Sequence, residues 1–136
     1  MSDKQVVTIS DDCSMKKWKT ASTGTQGEKL PPDNDIKVDQ MIQTETTTCI
    51  CSTGSKHEIL VAGCHSGNLN LHRTSNITEQ KTIYNAHLNL IRAIISLRSL
   101  GNRYFVSADV CGAIKVWPSN IQPKPEKSAK EKKKDQ

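Results

Sequence analysis

Three stretches of the chain share one hydrophobic rhythm. VVTISDDCSMKKW spans residues 6–18, EILVAGCHSGNLNLH spans 58–72, and RYFVSADVCGAIKVW spans 103–117. Each opens on a β-branched or aromatic run, such as Val6-Val7-Thr8-Ile9 or Tyr104-Phe105-Val106. Each then breaks at small or polar residues: Asp11-Asp12-Cys13, His65-Ser66-Gly67, Val110-Cys111-Gly112. Each resumes with apolar and polar residues in alternation, through Met15 and Lys17, Leu69 and Leu71, Ile114 and Val116. Alternation at period two marks a half-buried strand, and two such runs around a short Gly- or Asp-bearing break mark a hairpin. The pattern therefore predicts three hairpins.

Further strands are expected at 35–43 (DIKVDQMIQ), 46–52 (TTTCICS), 80–87 (QKTIYNAH) and 90–97 (LIRAIISL). The last is ambiguous, because Leu90, Ile91, Ile94 and Ile95 also fit one face of a helix. A strand is preferred there because the whole unit repeats. Residues 19–35 (KTASTGTQGEKLPPDND) read as a loop or insertion, and 118–136, with three prolines and a lysine run, read as a disordered tail.

A repeat of about 40–45 residues with four strands per unit is the sequence signature of a β-propeller blade. On these residues the chain resembles the WD-repeat family. The third unit carries the likeness best: His87 stands where the family has its Gly-His, Ile91 and Ile94 fall on inner apolar positions, and SADVCGAIKVW matches the hairpin ending in the family's Trp. The first unit matches through SDDCSMKKW, and the second through AGCHSGNLNLH with His72 in the place of the Trp. The resemblance implies an all-β partial propeller over residues 5–117. It divides into a partial blade at 5–43 with its insertion at 19–35, a blade at 46–84, and a blade at 86–117 without its outer strand. Ten strands make about two and a half blades where closed rings need roughly four to eight, so the sequence looks like the C-terminal part of a longer propeller.

The resemblance also implies a polar network in each blade. A His before the first strand bonds a Ser or Thr on the second strand and an Asp near the hairpin turn, and the Trp indole N–H joins them. Buried indole and imidazole groups need such partners. The candidate network residues are Ser10, Asp12 and Trp18 in the first unit, and His87, Asp109 and Trp117 in the third. Cys111 occupies the turn position where the family has Asp, and Asp109 stands at the family's Ser position. The expectation is that Asp109 accepts from both His87 and Trp117, which favours a charged imidazole. The second unit, with Cys64, Ser66 and His72, has almost none of the network and must rely on Leu60, Ala62, Leu69 and Leu71.

Composition narrows the functional choices. Apolar residues make up 35% of the 136 and aromatics 4%, so the core is thin. The net charge is +5, of which the lysine-rich segment 124–136 supplies +3, leaving a near-neutral body with a basic tail. That distribution does not describe a nucleic-acid-binding domain. No apolar run reaches the ~20 residues of a membrane helix, and MSDKQVVTIS lacks a signal-peptide core. The expectation is a cytoplasmic or nuclear protein, with five reduced cysteines and Asn76-Ile77-Thr78 a chance sequon.

Candidate chemistry is sparse. Cys49, Cys51, Cys64 and His65 offer a C-x-C-x12-C-H set, but zinc sites favour C-x2–4-C on turns, so small buried strand cysteines are the better reading. His87, Asp109 and Ser107 could be written as a catalytic triad, yet no G-x-S-x-G elbow accompanies them. Gly24, Gly27, Gly54, Gly63 and Gly67 form no phosphate loop. The expectation is a non-catalytic protein–protein interaction scaffold without cofactor or metal, contacting protein partners through 19–35 and the turns at Asp11-Asp12 and His65-Ser66. Two alternatives stand beside it. One is a partial propeller completed by self-association or by blades supplied in trans, since open ends expose apolar faces and unpaired edges. The other is an RNA- or DNA-associated protein acting through the lysine tail.

Overall fold

The computed structural model describes residues 4–20 and 36–120, in ten β-strands. β1 (Lys4–Ile9), β2 (Ser14–Thr20) and β3 (Ile36–Gln43) form a first sheet. β4 (Thr47–Thr53), β5 (Ile59–Cys64), β6 (Leu69–Arg73) and β7 (Gln80–Ile83) form a central one. β8 (Ile91–Ser96), β9 (Tyr104–Asp109) and β10 (Ile114–Pro118) form a third. Strands neighbour one another in chain order, and all pairings are antiparallel. Apart from a 3-10 turn at Arg98–Leu100, no helix occurs among the described residues, so none is long and apolar enough to cross a membrane.

The three expected hairpins are β1–β2, β5–β6 and β9–β10. The strand expected at 80–87 ends at Ile83, and two boundaries cross into segments expected to be loop or tail. β2 continues to Thr20, inside the expected insertion at 19–35, whose remainder lies outside the described residues. β10 takes in Pro118, the first residue of the expected tail; residues 121–136 lie outside the described residues.

The helix-like spacing at 90–97 has a physical cause. The register of β8 on β9 shifts between Ile91 and Ala93, which makes Arg92 an extra, bulged residue. A bulge adds one residue without crossing the pleat. Ile91 and Ile94 therefore share a buried face although they are three apart, while Ile95 is exposed. β4 has the same irregularity between Thr47 and Cys49.

The core follows from β5, whose six residues are all buried. Successive strand side chains point to opposite faces. Ile59 and Val61 join Leu69, Leu71, Ile91, Ile94 and Phe105 against the third sheet. Leu60 and Ala62 join Met15 and Ile77 against the first. Gly63 is part of the contact with the third sheet, because a Cβ there would lie 2.7 Å from the Ile91 side chain and 2.8 Å from Cys49 Sγ. Polar bonds reinforce both junctions. Buried Lys17 donates to the Ser75 carbonyl at 3.0 Å, and Gln40 both donates to Asn76 Oδ1 and accepts from the Ile77 amide. At the other junction Thr53 Oγ1 lies 2.9 Å from Ser96 Oγ and 2.7 Å from Ser119 Oγ.

The sheets do not close on themselves. The first sheet turns Val6, Val38 and Met41 outward, and the third turns out Ile95, Ile114 and Val116.

The three hairpin turns are built alike. The last residue before each turn, Ser10, Cys64 or Asp109, donates its amide to the carbonyl four residues on. It also accepts from the amide three residues on, at Cys13, Gly67 or Gly112. Those three acceptor-facing residues have φ of +66°, +92° and +91°, the left-handed region in which glycine carries no Cβ penalty. Cys13 carries that penalty. Gly67 has an added constraint, since a Cβ there would meet the His87 carbonyl oxygen at 2.1 Å, whereas one at Gly112 meets nothing within 4 Å. Urea unfolding should accordingly show a loss of about 1–2 kcal/mol for Gly112→Ala, a clearly larger loss for Gly67→Ala, and no loss or a small gain for Cys13→Gly. If Gly67→Ala is the milder alanine variant, the close approach to His87 does not restrain the fold.

Candidate functional site

The residues expected to form a network in the third unit do come together. His87, in the loop before β8, places Nδ1 2.9 Å from Asp109 Oδ2 and Nε2 2.6 Å from Ser107 Oγ. The Trp117 indole N–H donates to Ser107 Oγ at 2.8 Å. The expectation that Asp109 accepts from Trp117 is therefore corrected: Ser107, ten residues before Trp117, takes that bond. Asp109 instead spends Oδ1 on the turn, accepting from the amides of Cys111 at 2.9 Å and Ala113 at 3.0 Å. It thus does the turn-holding work expected of an Asp at position 111. The bonds form one unbroken run from Trp117 through Ser107 and His87 to Asp109.

Burial pushes the Asp109 carboxyl up, but the bonds from His87, Ala113 and Cys111 outweigh it and hold the group below the ordinary 3.8. Ser107, His87 and Asp109 have the connectivity of a hydrolytic triad. However, Ser107 is fully buried and His87 is 1% exposed, and the Ser107 oxygen already accepts the indole proton. This hydroxyl is closed off from solvent in this arrangement. The trio ties strands together.

The first sheet repeats part of this arrangement. The Trp18 indole donates to Thr8 Oγ1 at 2.9 Å, and Thr8 precedes Trp18 by the same ten residues. Ser10 and Asp12 serve the turn rather than the Trp: Ser10 Oγ accepts from the Asp12 amide, and Asp12 Oδ1 from the Ser14 amide at 2.9 Å. Hydrogen bonds from Ser14 hold the Asp12 carboxyl below its ordinary value. Thr8 was missed in the sequence, and Ser107 was named there only as a conceivable triad member and not as the indole acceptor, although their common offset from the two tryptophans was available to find that role.

In the central sheet Ala62 stands at the Ser107 position, so no side-chain acceptor exists there. His72 Nδ1–H donates instead to the Ile77 carbonyl at 2.8 Å, and its buried Nε2 has no partner. Desolvation holds the imidazole pKa below 6.5, against the raising effect of the Ile77 bond. Asn70 donates to Cys64 Sγ at 3.4 Å, and burial pushes the Cys64 thiol well up. Cys49 and Cys51 lie against the core between the central and third sheets, and their thiols are also raised by burial. Among the described residues no group of three His, Cys, Asp or Glu side chains converges as a metal site.

The hairpin turns lie at one end of the sheets, bound to neighbouring connections. The Thr44 amide donates to the Cys13 carbonyl, and the His65 amide to the Thr46 carbonyl. Glu45 accepts from Ser66 Oγ and from Asn68 Nδ2, so it braces the turn at His65-Ser66. Burial raises the Glu45 carboxyl, and these bonds more than reverse it. Asp11, Asp12, Glu45, His65 and Ser66 are exposed along this rim, with Tyr84 and Leu88 projecting beside them, 74% and 89% exposed. Glu45, Tyr84 and Leu88 carried no signal in the sequence that set them apart from other loop residues.

Compared with known proteins, the chain matches no family model and no curated sequence.

Two outcomes follow for stability. Ser107→Ala leaves the His87 Nε2 and Trp117 N–H pairings without their common partner, and should cost about 1–3 kcal/mol in urea unfolding. Adding Trp117→Phe to it should cost less than Trp117→Phe alone, because the bond is already gone. Asp109→Ala should lower the melting temperature more than Asp12→Ala; an unchanged value would remove the network from the account. The second outcome concerns pH. His72 has a folded pKa below its unfolded 6.5, so the unfolded chain takes up the proton first. Stability should be level above about pH 6.5 and fall as pH drops below it, and His72→Leu should flatten that fall in pH-dependent unfolding curves.

Proposed function

We propose that the chain is a WD-repeat type interaction module, a non-catalytic scaffold that binds other proteins through its rim of hairpin turns. One observation carries the reading: three successive sheets present the same turn, with the same backbone bonds and the same left-handed position, at one end of the stack. Rigid turns on a strand scaffold, with side chains free to differ from sheet to sheet, suit recognition. The Trp117–Ser107–His87–Asp109 chain supports it, as this is the tie that the family resemblance implies between strands and turn. The apolar outward faces of the first and third sheets fit a module that works within a larger assembly.

The rim offers Asp11, Asp12 and Glu45 carboxylates beside the apolar Leu88 and the aromatic Tyr84. Its partner is accordingly a protein surface combining basic and apolar groups. Affinity capture with the full chain, followed by Asp11→Arg and Leu88→Asp, tests the assignment. Both substitutions should leave the melting temperature within about 2 °C, as exposed positions do, and weaken the captured protein at least about tenfold. Undiminished capture by both variants would sink the rim reading. Loss of capture only on deletion of 124–136 would transfer function to the lysine tail.

A further inference from the structure

The first sheet has a free inner edge where the other two sheets have a strand. β4 flanks β5 and β8 flanks β9, but nothing among the described residues pairs with the corresponding side of β1. A groove of about 510 Å³ runs there, walled by Val7, Ile50 and Leu60 and edged by Lys56 and His57. A second cavity of about 560 Å³ lies beyond Ile9, against Thr46, Thr47 and Thr48.

Exposed edges are usually protected by charge, proline or a bulge. β10 carries Lys115 and ends in Pro118, β3 has an extra residue at Asp39, and β7 is only four residues long with Lys81 inside it. β1 has no charged residue, proline or bulge from Gln5 to Ile9. Past Lys4 it is an unprotected edge, beside a groove whose lining mixes Val7, Ile50 and Leu60 with Gln5, Ser52 and Thr74.

We propose that this groove binds an extended polypeptide strand in trans, antiparallel to β1, with small apolar side chains at alternate positions. The inference rests on the interaction-module reading and names a second contact for it. The chain itself supplies the template, because the incoming strand would stand to β4 as β4 stands to β8. There Cys49 and Cys51 pack into the core shared with Ile91 and Ile94, and Thr48 Oγ1 donates to the Ile91 carbonyl. Cys51 and Cys49 pair with Val61 and Gly63 on β5. Counted back from His72 and Trp18, those two positions correspond to Val7 and Ile9. Residues opposite Val7 and Ile9 would therefore point at Ile50 and Leu60, and small apolar side chains fit that space. The strand comes from outside these 136 residues. Segment 21–35 has paired prolines and no apolar alternation, and 121–136 has two prolines and six lysines.

The probe is a synthetic peptide of residues 46–53 with Cys49→Ala and Cys51→Ala, added to the full chain. Amide hydrogen exchange followed by NMR should slow at least about tenfold at the β1 amides directed away from β2, with β10 unchanged. The same peptide with proline in place of the central isoleucine should give no protection, since it cannot donate at that point. Val7→Lys, checked for an unchanged fold by Trp18 fluorescence, should weaken binding at least tenfold. Three results would overturn the proposal: protection at β10 instead, equal protection by the proline peptide, or none up to roughly 1 mM peptide. Such a failure, with turn variants still losing their captured protein, would leave the rim reading standing.

Discussion

The structure depends on β5 being apolar on both faces. A strand of alternating character can leave one face in water, but β5 cannot, because Ile59 and Val61 face one way and Leu60 and Ala62 the other. Burying each large aliphatic side chain contributes roughly 1.5–3 kcal/mol, so the central sheet is stable only with a sheet on either side. The first sheet answers with Met15, Val7, Ile9 and Ile42, and the third with Ile91, Ile94 and Phe105. Each outer sheet has only one face covered by a neighbouring sheet. With less apolar surface buried, their polar ties matter more.

That difference explains how one structural position carries three chemistries. The site ten residues before the Trp or its substitute is Thr8, Ala62 or Ser107. In the outer sheets a hydroxyl there receives the indole proton. In the central sheet packing on two sides makes the tie dispensable, and Ala62 only fills space. The cost appears at His72, which retains a buried ring nitrogen without a partner. Glu45 shows a similar substitution at the turn. Where the third sheet braces its turn with Asp109, itself bonded to His87, the central sheet braces its turn with a carboxylate from the preceding link.

Much of the strand layout was legible because period-two alternation is a direct consequence of the pleat. The three hairpins stood out for the same reason, reinforced by repetition. Three features were hidden, each for a physical reason. The bulges at Thr48 and Arg92 depend on how two strands register, and neither residue type marks one locally. The role of Asp109 depended on where the backbone turns left-handed: Gly112 takes that conformation, so Asp109 rather than residue 111 faces the turn amides. Lys17 shares the face of buried Met15, two residues before it, where a lysine gives no sign of its own burial. It is buried because the register shift at Asp39 sets Gln40 opposite it and because the Ser75 carbonyl comes within reach from the central sheet.

The outward face of the third sheet can be compared position by position with the central sheet. Ile95, Val106 and Val116 form a cross-strand row on β8, β9 and β10. The corresponding row on β4, β5 and β6 is Cys51, Val61 and Leu71, and these side chains pack against the third sheet. The same positions are therefore interior in one sheet and surface in the next, with no change of character from apolar to polar. The solvated face of an ordinary antiparallel sheet is filled by polar residues. This one is apolar along that row, as is the Val6–Trp18–Val38 row on the opposite end. Both ends of the three-sheet stack thus carry apolar rows on their outward faces, and in water alone that surface stays unburied.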